Sequence, residues 1–431
     1  MSTTSNTFGE NLAQAAGAGN PRPGLWKGRI IIIVGLLLLG IGLRYAVTGL
    51  SPLLTTVTGE LGIGTAGATF IGMLPTLSFG IGGFLAPVIV RKIGLEATAL
   101  IAVILAAVGT MVRPFSDSPA IFMALTFVAL LGMGFGNVAG APLVKKHFPD
   151  RQASMVTVFA LLMQAGATLP AMTALPLANA GGWQFSLASW GVLSLVAVLP
   201  WTLVLLKERR SGAPTAAQSA TAGAAAGTGL GLGRLVASPV AVGTALFYAM
   251  ASLNIYAMLA WLPTIMQQGF GLDKGSAATA FSVYTFMTLP MAVITPLIAN
   301  KMRNPAILAV ILSAAGPLGY LLMLTGIGPL WLAALVAGLA GGAFPLAIAM
   351  FNLRSRTTAG SAAMAGFAMG VGYLFGTLGP LLGGWLFSTT GGWTVPLWVY
   401  VATFIPMSLG GIMMARTGRY VEDKAGVAGQ A

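Results

Sequence analysis

Apolar runs of about 20 residues recur along this chain, each long enough to cross a hydrocarbon layer roughly 30 Å thick. They lie near 30–55, 66–90, 95–115, 119–144, 153–178, 184–206, 239–266, 276–299, 305–326, 328–351, 360–387 and 393–415. Only 7% of the residues are charged and 56% are hydrophobic, whereas a soluble chain carries roughly 25% charged residues. Such a sequence cannot cover itself with hydrated surface, so lipid is its expected solvent. Glycine and proline inside the runs are tolerated in membrane helices. The expected class is all-α: a polytopic membrane protein of twelve transmembrane helices in two six-helix bundles.

Basic residues set the expected topology. Nineteen of the 22 lysines and arginines fall in connections on the side of the termini, and only Arg113 and Lys274 on the other, with Arg44 left inside a span. The positive-inside rule then makes both termini cytoplasmic, in a bacterial inner membrane. The basic residues form short clusters between apolar runs and no extended face, so nucleic acid is not an expected partner. With no cysteine and a single histidine, His147, the chain offers no disulfide framework, thiol nucleophile or histidine metal cluster. Neither a cofactor nor a catalytic residue is expected.

The domain organisation follows from composition. Residues 1–28 read as a disordered tail, 29–207 as the first bundle, 208–237 as a flexible Gly/Ala/Ser/Thr-rich linker, 238–416 as the second bundle and 417–431 as a cytoplasmic tail. No cleavable leader is expected, because the first apolar run is too long for one. A shift of about 210 residues superposes landmarks of the two halves: Gly62, Pro87 and Lys92 on Gly271, Pro296 and Lys301, and Gly181-Gly182-Trp183 on Gly391-Gly392-Trp393. Two parallel repeats imply a rocking carrier with its site between the halves.

With these landmarks the chain resembles the major facilitator superfamily over nearly its whole ordered length. The segment GGFLAPVIVRKIG (82–94) is similar to that superfamily's loop between helices two and three, but has Pro87 where an aspartate is usual. LRYAVTGLSPLL (43–54), GNVAGAPLVKKHFPDR (136–151) and GGWQ (181–184) resemble the cyanate/nitroimidazole permease family. That resemblance implies a substrate-contacting arginine in the first helix. GTLGPLLGG (376–384) resembles an antiporter glycine motif, although tight helix packing accounts for it as well.

Every acidic residue is expected outside the spans, which makes Arg44 the only formal charge placed deep in the bilayer. It lies about 21 Å of helix rise from the start of its run. A central arginine costs at least about 2.5–3.5 kcal/mol, so it either reaches for backbone carbonyls at a kink or faces a wet cavity where the substrate is its counter-ion. Arg44, Thr48, Ser51 and Thr55 follow at steps of 4, 3 and 4, putting a polar stripe on one helical face. The guanidinium fork suits a carboxylate or another planar anion. Organophosphate/phosphate antiporters are similar in placing an arginine there but pair it with a second in helix seven; helix seven here has none, and that comparison implies a monoanion over phosphate. Asn137, Gln164, Tyr248, Ser252, Asn254, Tyr256 and Tyr284 are further central candidates, and Tyr45 could stack on a ligand. For each of them interhelical hydrogen bonding or packing is the alternative.

The sequence therefore predicts an alternating-access carrier, monomeric among its membrane lipids, for a small anion such as cyanate or an organic carboxylate. A co-transported proton or an exchanged anion would be its coupling partner. A carrier of neutral heteroaromatic solutes is the alternative, and a membrane-embedded enzyme or receptor lacks the side chains or appended domain it would need.

Overall fold

The computed structural model of the protein describes residues 29–210, 232–416 and 418–423. The expected tail over 1–28, most of the 208–237 linker and most of the 417–431 end lie outside the described residues. Among the described residues, eleven helical segments are long and apolar enough to cross a membrane. One of them, Ser154–Lys207, has 54 residues, or about 80 Å at 1.5 Å per residue, too long for one crossing. It is two helices, broken where Gly181 and Gly182 leave the helical region, with Gly182 at φ +83°.

Twelve spans result. In chain order they are α1 (Ile30–Glu60), α2 (Thr65–Ile93), α3 (Leu95–Phe115), α4 (Pro119–His147), α5 and α6 (154–180 and 183–207), α7 (Pro239–Gly269), α8 (Lys274–Lys301), α9 (Pro305–Thr325), α10 (Leu330–Leu353), α11 (Ala363–Thr390) and α12 (Thr394–Ala415). An even number of crossings leaves both ends on one face, called here the terminal face; the opposite one is the far face. Large apolar side chains such as Leu199, Ile311, Trp398 and Ile405 are exposed on the outside, as a lipid-facing surface requires.

Helix starts use local signals. Pro119, Pro239 and Pro305 open α4, α7 and α9, where a missing N–H costs nothing. The Asp273 carboxylate caps α8, accepting from the backbone N–H groups of Gly275 and Ser276 at 2.8 and 3.0 Å. Small residues let helices close within each half. A side chain at Gly132 would strike the α3 backbone at Ala102, and one at Gly243 the α12 backbone at Met414.

The internal repeat is visible in the packing. Trp183 donates its indole N–H to Glu60 at 2.6 Å, tying the α5–α6 turn to the end of α1. Its counterpart Trp393 donates to Gln268 at 3.3 Å, tying the α11–α12 turn to the end of α7.

Three expectations are corrected. The linker is not wholly irregular: α6 continues to Arg210, and Leu232–Ala237 form a short helix whose Leu235 is buried in the core. Arg113 is not a loop residue. It is fully buried in the first half, donating to the Ala46 carbonyl and the Thr126 hydroxyl, both at 3.2 Å, with its guanidinium 5.7 Å from the centre of the Phe122 ring. Arg44 is therefore not the only enclosed cation. Nor do all acids lie outside the spans, since Glu96 is buried in the first turn of α3, bound by Lys146 at 2.6 Å and His147 at 2.8 Å. This cluster ties the start of α3 to the end of α4. The Pro87 side chain, where the related loop has an aspartate, lies outside the described residues.

The halves touch from the far face to mid-depth. Along α2, Thr69, Gly72 and Thr76 meet Gly384, Pro380 and Gly376 of α11. Along α5, Thr168 donates to the Thr285 carbonyl of α8, and the Ser282 hydroxyl of α8 donates back to the Ala171 carbonyl, both at 3.2 Å. Thr55 reaches Gln267 at 3.5 Å, and Lys274 reaches Thr56 at 3.1 Å. Toward the terminal face no such contact appears among the described residues: Gly83, Gly366 and Gly370 have nothing against them, and Phe84 is 77% exposed. The gap between the halves is shut at the far face and open toward the termini.

Candidate functional site

The last interlocked layer is where α1 breaks. Its helix runs over Ile30–Ile41, turns through Gly42–Arg44 and resumes at Tyr45. Glycine makes the break possible. A side chain at Gly166 of α5 would collide with the Ile41 carbonyl, so the α5 backbone lies directly against the end of the first segment. Leu43, next in the turn, packs against Gly136 of α4.

The break aims Arg44 across the interface. Its Nη1 donates to the Tyr256 hydroxyl of α7 at 3.4 Å, and its Nε is buried without a partner. No carboxylate among the described residues lies within ion-pair reach of it. A long bond to one neutral hydroxyl leaves most of the guanidinium's five donors unused.

An aromatic wall built by both halves surrounds this group. Phe79 of α2 stands edge-on to Tyr256 at 6.4 Å and to Tyr373 of α11 at 6.1 Å. Tyr373 meets Tyr256 at 6.4 Å and Tyr248 at 6.1 Å, and Tyr248 packs on Phe344 of α10 at 4.8 Å. The structure thus adds Phe79, Tyr373 and Phe344 to the residues that the sequence singles out. Tyr373 is a lone tyrosine among small residues in GVGYLFG, a signal open to reading; single phenylalanines in apolar helices carry none.

The other candidates divide by geometry. Asn137 follows Gly136, at the depth of the α1 break; the residue is half-buried, and its buried amide nitrogen has no partner. Gln164 is half-buried two residues before Gly166, at the same depth. Ser252 is buried with an unpartnered hydroxyl, beside Gly376 and Thr76. Thr48 is buried and donates back to the Arg44 carbonyl at 3.4 Å, while Ser51 lines a small cavity farther toward the far face.

Three candidates turn away from the gap. Tyr45 shares a hydrogen bond with Ser194 of α6 at 2.8 Å and stacks on Trp190, inside the first half. Asn254 donates to the Met250 carbonyl at 2.9 Å and to the Thr403 hydroxyl of α12 at 2.8 Å. Tyr284 is buried where α10 crosses α8 and makes no ring contact with the wall among the described residues. The cause is rotational: neighbours on a helix differ by about 100°, so depth alone does not choose the face.

These features, a mid-depth cation and an aromatic wall at the bottom of a gap open to one face, suit a solute met between two moving halves. The description Major Facilitator Superfamily matches residues 36–375. The 2-nitroimidazole transporter of Escherichia coli (strain K12) is 28% identical over 395 residues, covering 90% of this chain and 96% of that protein. Cyanate transport protein CynX of the same organism is 24% identical over 379 residues, covering 86% and 93%. Among solved structures, the inward-open xylose transporter XylE from E. coli superposes with a TM-score of 0.66 at 14% identity, covering 92% of this chain and 98% of that one. The fold is thus shared with a solved transporter, and the chain belongs to the Major Facilitator Superfamily, a multi-pass membrane transporter of twelve helices.

Proposed function

We propose that this transporter is a secondary active carrier that moves a small planar monoanion, cyanate-like or a small carboxylate, by alternating access. Arg44 pairs with the anion at the bottom of the gap. The observation that carries the reading is the Arg44 guanidinium, facing the other half with an orphaned Nε, no carboxylate in reach and only a long bond to Tyr256. Removing a charge from water without a partner costs several kcal/mol, so an arriving anion relieves a standing penalty. Tyr256, Tyr373 and Phe79 would flank its plane, with Asn137, Gln164 and Ser252 as further polar contacts.

The Lys/Arg distribution supports a bacterial cytoplasmic membrane with the terminal face inside. Entry of a monoanion against a negative interior costs about 2.3 kcal/mol per 100 mV. Since no carboxylate among the described residues faces the site, the coupling falls to an exchanged anion or to a proton carried with the substrate.

A second reading has its own observation: the wall of five aromatic rings suits a neutral heteroaromatic solute, the kind of molecule named in one relative. The Arg44→Gln variant separates the two. In proteoliposomes, with thermal stability as the folding control, the anion reading expects uptake of cyanate or a small carboxylate to fall at least tenfold. Near-normal uptake would refute it and leave the aromatic wall as the determinant.

A further inference from the structure

The second enclosed cation has no counter-ion either. Arg113 is fully buried, its Nε has no partner, and its two hydrogen bonds go to neutral oxygens, the Ala46 carbonyl and the Thr126 hydroxyl. No carboxylate among the described residues lies within ion-pair reach of it.

Both of its partners belong to residues that line a cavity of about 30 Å³ between α1, α2, α4 and α7, whose wall also includes Ser51, Gly72 and Tyr256. The Ser51 hydroxyl is buried at 5% exposure and has no hydrogen-bond partner. Ser51 lies seven residues past Arg44, about 10 Å farther toward the far face. Tyr256 belongs to both places, since it lines the cavity and accepts from Arg44.

We propose that this cavity is a second anion site, for a monovalent ion of two or three atoms, on the far side of Arg44. The size fits, because a water-sized sphere takes about 10–15 Å³. The Ser51 hydroxyl donates to the ion. Arg113, one layer behind the wall, supplies the balancing charge at a distance; the Thr126 hydroxyl accepts from it at 3.2 Å and gives its own proton to the Phe122 carbonyl at 2.7 Å, so Ser51 is the donor the ion meets. A ring-bearing carboxylate is too large, so the site admits only the smallest members of the class proposed for Arg44. The inference takes its direction of travel from the anion-carrier reading, but its test does not depend on that reading. An anion passing between the faces would occupy the two cations in turn, with Tyr256 between them.

The test is equilibrium binding of labelled thiocyanate, a linear triatomic anion, to the full chain in nanodiscs, with unlabelled thiocyanate as competitor. The Arg44→Gln variant is expected to keep a displaceable site. Adding Ser51→Ala is expected to weaken that site at least tenfold. Ser51→Ala removes a single oxygen, so it tests the site without the folding risk of replacing Arg113. Loss of all displaceable binding in Arg44→Gln would overturn the proposal, and so would unchanged affinity after Ser51→Ala. Either result leaves the uptake test of Arg44 standing by itself.

Discussion

Arg44 and Tyr45 are adjacent and point to opposite fates. The first crosses to Tyr256 in the other half; the second is held by Ser194 and Trp190 within its own. Tyr45→Phe should therefore lower stability by about 1 kcal/mol, the net worth of one buried hydrogen bond, and leave the substrate KM unchanged. Tyr256→Phe, with its hydroxyl facing the gap, should instead raise KM several-fold at little cost in melting temperature. Parallel melting curves and uptake kinetics check both, and the reverse pattern would show that the two rings have been assigned to the wrong roles. The stripe Arg44, Thr48, Ser51 and Thr55 was legible at steps of 4, 3 and 4; Arg44 and Thr55 reach Tyr256 and Gln267 of the other half, whereas Thr48 bonds back to the Arg44 carbonyl. Arg113 was not legible. Its position beside polar turn residues suggested a loop, and only the fold reveals that the chain turns it inward onto Thr126.

At the level of elements, the legible part was whatever repeated. Twelve apolar runs and the two Gly-Gly-Trp turns sufficed to expect both halves, and the Trp183 and Trp393 anchors give the repeat its physical reason. The break in α1 was hidden, because it depends on Gly166 from another helix. Gly182→Ala should cost about 1–3 kcal/mol, since φ is +83° and ψ 163° there, a region essentially reserved for glycine. Thermal unfolding would register it, with Gly391→Ala, at φ +71° in the matching turn of the second half, as the parallel case.

The terminal face offers a pH-dependent tie. Arg29 donates to Asp150 at 2.7 Å and holds its carboxyl below the usual carboxylate range. A depressed folded-state pKa contributes stability above the unfolded value of roughly 4, and loses it as pH falls through the folded one. Asp150→Asn should therefore melt below the native protein at neutral pH, and the difference should vanish in acid. A gap that persists at pH 2 would deny the pair its role.

Across the whole molecule, the asymmetry of contact between the halves defines the state. They interlock from Thr55–Gln267 and Thr69–Gly384 down to Phe79–Tyr373, and part beyond. Transport by rocking requires those far-face contacts to break as the terminal side closes. Gly384 is placed to set the balance: a side chain there would strike Thr69, so Gly384→Leu penalises the far-closed state without touching the Arg44 layer. Because the chain contains no cysteine, single introduced thiols report each face cleanly. Thr55→Cys should be protected from a membrane-impermeant maleimide in the native background and become several-fold more reactive in Gly384→Leu. Joining Thr55→Cys to Gln267→Cys with a short reducible cross-linker should stop uptake, and reduction should restore it. If cross-linked protein carries solute at the native rate, the far-face contacts are not a gate and the halves do not rock about the Arg44 layer.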